Sequence, residues 1–120
     1  MIVLFGSAVK KQKQPEDFDI ALFLPNEERI KYETDMVHYS KLWLGLAEAL
    51  EVSPDKLDIT FASPKTPRLL LYHIAKDGRL LFGKYSDFSR FRLKAVKMFF
   101  DAAPFRKATA VYLKKFIHAR

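Results

Sequence analysis

The sequence predicts an α/β (α+β) domain: a mixed sheet of about four strands with helices packed against it. Short β-branched and aromatic runs recur, separated by stretches of helical period and punctuated by Gly and Pro. The second run follows the first through a polar loop, whereas the later runs are reached through helical stretches. The resulting order, β–β–α–β–α–β–α, calls for both antiparallel and parallel pairing.

Ile2 to Phe5 is an apolar run stopped by Gly6-Ser7, the pattern of a buried strand ending in a tight turn. Lys10 to Glu16 is polar, contains Pro15 and has no periodicity, so it reads as a loop. Asp17 to Leu24 then alternates. Phe18, Ile20, Leu22 and Leu24 fall on one face and Asp17, Asp19, Ala21 and Phe23 on the other, with Pro25 closing the strand. From about Glu27 to Leu50, Met36, Tyr39, Trp43, Leu46 and Leu50 recur at three and four, which predicts one long amphipathic helix with this stripe in the core. Ser53-Pro54 breaks it. Leu57 to Ala62 returns to extended character, with Ile59 and Phe61 on one side and Asp58, Thr60 and Ala62 on the other.

Thr66 is placed as a helix N-cap with Pro67 at the first helical position, and Asp77-Gly78 closes that helix. Arg79 to Phe82 reads as a further short strand ended by Gly83. The remainder, Ser86 to Arg120, is helical in pattern and interrupted at Pro104, which lacks a backbone donor. Phe88, Phe91, Phe99 and Phe100 exceed what a peripheral helix needs, so part of this series is expected at a partner surface.

At 120 residues and 49% apolar content the chain fits a single domain, 1–120, with a core over 1–83 and a helical extension over 84–120. The longest apolar runs fall far short of the roughly 20 residues that cross a bilayer, so no membrane span is expected. Met1 opens directly onto an apolar run without a basic leader, and export is not expected. The absence of cysteine excludes disulfides, thiolate zinc sites and a cysteine nucleophile, and suits a cytoplasmic setting. Net charge is +7, and its distribution is uneven. Residues 84 to 120 hold ten Lys/Arg against two Asp/Glu, while residues 1 to 83 hold eleven against twelve. An acidic partner, protein or nucleic acid, would be drawn to the C-terminal third; a solvated helix face is the plain alternative.

Three features converge on chemistry. Gly6 lets backbone approach a phosphate closely, and the Ser7 hydroxyl can bind its oxygens. Asp17 and Asp19 lie on one face of a strand, so their carboxylates repel unless a cation lies between them, and such hard oxygen ligands suit magnesium. Asp58 begins another strand of the same sheet. Two carboxylates, a third from a neighbouring strand and a phosphate-binding turn are what two-metal phosphoryl or nucleotidyl transfer requires. Lys10, Lys11 and Lys13 share the intervening loop and can grip phosphates or be solvated. His38, His73 and His118 form no i, i+4 pair and are assigned structural or surface roles.

LFGS, nine residues, DFD, and DIT on a later strand resemble the nucleotidyltransferase superfamily that includes polymerase beta, and within it the minimal nucleotidyltransferase (MNT) branch. The likeness runs over roughly residues 2 to 83, and the segment YHIAKDGRLLFGK falls where that branch has it. Members resemble MntA-type antitoxins, which pair with HEPN-domain toxins. The resemblance implies a nucleotidyltransferase fold and transfer of AMP from Mg-ATP, with two magnesium ions, to a toxin tyrosine in a hetero-oligomer. Carried over by position, Gly6 and Ser7 match the turn, Asp17 and Asp19 the metal carboxylates, and Asp58 the third carboxylate. Lys10 or Lys11 stands where the family commonly has arginine. The DxD pair comes one residue earlier than usual, and Met1 stands one residue ahead of the first strand, where a helix commonly precedes it. Two other functions fit the same residues: a non-catalytic protein that neutralises the toxin by contact, and nucleotide transfer to an RNA 3′ end.

Overall fold

A computed structural model of the 120-residue chain describes residues 1–6 and 17–101. Four strands form one sheet: β1 (Ile2–Phe5), β2 (Phe18–Leu22), β3 (Leu57–Phe61) and β4 (Arg79–Phe82), in the spatial order β3-β2-β1-β4. β1 pairs antiparallel with both β2 and β4, and β2 pairs parallel with β3, so the sheet is mixed as expected. The helices are α1 (Asn26–Thr34), α2 (Met36–Leu50), α3 (Arg68–Asp77) and α4 (Tyr85–Asp101), with a short 3-10 turn at Pro54–Lys56.

The sheet is covered on both faces, which sets its alternation. On one face Val3, Phe5 and Ala21 pack with Ile74 of α3 and Phe88 of α4. On the other, Ile20 and Leu57 pack with Ala47 of α2, flanked by Trp43, Leu46 and Leu50. Ile20, Ala21 and Leu22 are therefore buried in succession, the mark of a strand without a wet face. Val3, Ile20 and Ile74 have no exposed surface, and burial of such side chains stabilises by roughly 1.5–3 kcal/mol each. Trp43 belongs to this core, and its indole Nε1 donates to the Leu57 carbonyl at 3.2 Å.

The single long helix expected over 27–50 is instead two helices. Asp35 takes an extended conformation (φ −115°, ψ 109°), and its carboxylate accepts from the backbone N–H groups of Val37 at 3.0 Å and His38 at 3.4 Å. Satisfying the orphan donors of a new helix start outweighs continuing the old one. α1 buries no residue, so little packing energy opposes the break. Thr66 is not the N-cap of α3. Its hydroxyl accepts from the Ser63 N–H at 2.9 Å inside the preceding turn, and Pro67 occupies the cap position.

The aromatic residues of α4 make contacts within the chain. Phe88 is buried, Phe91 packs edge-on to Phe23 with centroids 4.6 Å apart, and Phe99 stacks on Tyr72 of α3 at 4.2 Å. Phe100 meets Tyr72 edge-on at 5.9 Å. Phe99 and Phe100 thus meet Tyr72 across the α3–α4 interface, and Phe91, Phe99 and Phe100 remain half-buried. The large apolar residues that α4 exposes are Tyr85, at 69%, and Leu93, at 75%. Pro104 and His118 lie outside the described residues. No described helix is long and apolar enough to cross a membrane.

Candidate active site

The β1–β2–β3 register draws the acidic residues together. Phe5 is the Cα partner of Asp19, and Asp19 is in turn the partner of Asp58 across the parallel ladder. Side chains at paired positions share a face, so the carboxylates of Asp19 and Asp58 stand side by side, about one interstrand spacing of 4.8 Å apart at the backbone. Asp17 lies immediately before β2 and, two residues from Asp19, on that same side. The face is the one that carries Val3, Phe5 and Ala21 against α3 and α4.

Electrostatics follow from this placement. Partial burial raises the Asp19 carboxyl above the ordinary carboxylate value, and the neighbouring charges of Asp58 and Asp17 raise it further. A side-chain hydrogen bond with Asp58 acts in the same direction. Asp19 is therefore the crowded centre of the group, whereas Asp17 and Asp58 are exposed.

Gly6 completes the corner. Its φ is +77°, in the region that side chains rarely adopt, and a Cβ built there would collide with a carboxylate oxygen of Asp19. Gly6 thus lies directly against the central carboxylate, in a backbone conformation that favours glycine. Ser7, Lys10, Lys11 and Lys13 lie outside the described residues.

Three hard carboxylate oxygens from two adjacent strands, mutually repelling and open to solvent, have the donor chemistry that magnesium takes. As the side chains stand, no three His, Asp or Glu residues among those described are closed up at metal-ligand geometry. The excess negative charge gives a divalent cation reason to draw them in. His38 forms an exposed pair with Asp35 at 3.2 Å, and His73 is exposed on α3.

Two features escaped sequence reasoning. The direct contact of Gly6 with Asp19 depends on strand register, which spacing alone does not fix. The second is an aromatic cavity beside β3 lined by Tyr32, Tyr39 and Phe61. Its sequence signal is the seven-residue spacing of Tyr32 and Tyr39, concealed within what reads as one continuous helix.

Residues 1–87 match the polymerase beta nucleotidyltransferase family. No curated protein matches the chain. Among solved structures it resembles a toxin–antitoxin complex with AMP-PNP, at 24% identity and TM-score 0.60 over 94% of this chain and 84% of the other. It also resembles a tri-AMPylated Shewanella oneidensis HEPN toxin in complex with MNT antitoxin, at 24% identity and TM-score 0.55 over 94% and 81%. An MntA–HepT toxin–antitoxin structure is similar at 23% identity and TM-score 0.55, with the same coverage. At such identities the likeness is one of fold. Since the family match covers most of the chain, and includes the glycine turn and all three carboxylates, this protein belongs to the polymerase beta nucleotidyltransferase family.

Proposed function

We propose that this protein is an antitoxin that transfers AMP from Mg-ATP to a tyrosine hydroxyl of a HEPN toxin, releasing pyrophosphate. The observation that supports it most is the lateral pairing of Asp19 with Asp58 beside a glycine turn. The neighbouring folds point the same way, since one is in complex with a tri-AMPylated HEPN toxin and another belongs to a toxin–antitoxin structure with AMP-PNP.

Gly6 and Ser7 would receive the triphosphate, with Lys10 or Lys11 offsetting its charge. Asp17, Asp19 and Asp58 would hold magnesium, which when bound offsets triphosphate charge and lowers the pKa of the attacking hydroxyl. Asp58, exposed on an outer strand, would help deprotonate the tyrosine hydroxyl. The tyrosine oxygen attacks the α-phosphorus, an O–P bond forms, the α–β phosphoanhydride bond breaks, and pyrophosphate leaves. Burial and the neighbouring carboxylates raise the proton affinity of Asp19, which a bound cation would counter.

Incubation of the chain with a HEPN toxin that it binds and Mg-ATP should yield AMP on toxin tyrosine with one pyrophosphate released per AMP, and a toxin with that tyrosine changed to Phe should stay unlabelled. A chain that binds and neutralises the toxin without labelling it would leave only the non-catalytic role. Labelling of an RNA 3′ end instead would reassign the acceptor.

A further inference from the structure

β3 is an outer strand of the sheet, and among the described residues no strand pairs with its outward side. The Ala62 N–H donates to the Leu22 carbonyl at 2.9 Å, which fixes the parity of the ladder: Asp58, Thr60 and Ala62 turn their backbone groups toward β2. Leu57, Ile59 and Phe61 turn theirs outward. Leu57 is engaged, its N–H by Pro54 and its carbonyl by Trp43. Among the described residues, nothing takes the outward N–H and C=O groups of Ile59 and Phe61. Natural proteins cover or blunt such an edge unless it receives another strand.

Both faces of this edge carry features that a strand would meet. On one lie Asp58 and Asp19. On the other, Ile59 and Phe61 border a cavity of about 410 Å³ with Tyr32, Glu33, Met36 and Tyr39. Phe61 lies parallel to Tyr32 at 6.2 Å and tilted to Tyr39 at 6.1 Å, and Met36 at the rim is 83% exposed.

We propose that the β3 edge is the docking site for the acceptor: an extended, tyrosine-bearing polypeptide segment that adds as a fifth strand beside β3. The proposal rests on the function proposed above and names how that site takes its substrate. Two donor–acceptor pairs spaced two residues apart, about 6.6–7 Å, match the backbone of an extended polypeptide. A nucleic acid has no such repeat. An added strand lies about 4.8 Å outside β3, so a tyrosine opposite Asp58 projects on the carboxylate face, beside the groups that would act on it. Period two then sends the residues opposite Ile59 and Phe61, one and three positions from the tyrosine, to the other face and into the aromatic cavity. The edge therefore selects a tyrosine flanked on one side by apolar or aromatic side chains in alternation.

Amide hydrogen exchange on the isotopically labelled full chain, with and without the HEPN toxin, tests this directly. The Ile59 and Phe61 amides should exchange rapidly in the free chain and slow at least tenfold in the complex. The Thr60 amide, bonded inward to β2, is the internal reference. Ile59→Pro removes an outward donor without touching the ladder and should raise the KM for toxin at least tenfold while kcat at saturating toxin changes little. Should that variant fail to fold, exchange in the unaltered chain still decides. Toxin that is bound and labelled while both amides remain fast overturns the docking mode and leaves the transfer activity standing. Protection that rises with the chain's own concentration, without toxin, assigns the edge to self-pairing and also overturns it. Failure of a folded, Mg-ATP-binding chain to label the toxin removes the functional reading, and the docking proposal with it.

Discussion

Asp19 and Asp58 are direct partners across the parallel β2–β3 ladder, and burial, with the neighbouring charge of Asp58, raises the Asp19 carboxyl above its ordinary value. A carboxyl whose folded value is raised binds its proton more tightly folded than unfolded. Stability contributed by Asp19 is therefore greatest below the unfolded value of about 3.8 and declines as pH rises through the raised folded value. Thermal melts across this range in metal-free buffer should show the decline, and Asp58→Asn should make it shallower and raise Tm at neutral pH.

Magnesium should reverse that ranking. A cation that binds the folded chain at one hundred times its Kd stabilises by about 2.7 kcal/mol, and 1 kcal/mol moves Tm by roughly 4–8 °C in a domain of this size. The unaltered chain should gain most on magnesium addition and Asp19→Asn little. Calorimetric melts at matched ionic strength separate this from general salt effects.

Gly6→Ala should impair transfer more severely than its size suggests. The new methyl meets the Asp19 carboxylate, and the φ of +77° alone costs an L-residue roughly 1–2 kcal/mol. Both a lower Tm and a loss of AMP transfer are expected, read by melting and by labelled ATP.

Asp35→Ala should separate stability from chemistry. Loss of this cap costs about 0.5–2 kcal/mol, and the residue lies between α1 and α2, away from the carboxylates. Urea denaturation should show the lower midpoint, with the transfer rate at saturating toxin unchanged below the transition.

Much of this architecture is legible from residue order. β1, β3 and β4 announce themselves by apolar runs bounded by glycine or proline, and the DFD and DIT segments place their aspartates at matching positions of adjacent strands. Spacing cannot show what depends on competition or on three dimensions. Asp35 interrupts a helical period because its carboxylate satisfies two backbone donors, a local gain that an apolar stripe conceals. Phe99 and Phe100 look surplus in the sequence because their partner, Tyr72, is distant in the chain. The corner between Gly6 and Asp19 depends on register, which only the paired strands define.

The most direct measurement is the rate of AMP incorporation into the HEPN toxin at saturating Mg-ATP, compared between the unaltered chain, Asp19→Asn and Asp58→Asn. Loss of a positioned proton acceptor typically costs 10²–10⁴-fold, so Asp58→Asn should fall by at least about 100-fold and Asp19→Asn to background. Transfer by both variants at the unaltered rate, with the toxin still bound, would contradict a carboxylate-centred mechanism.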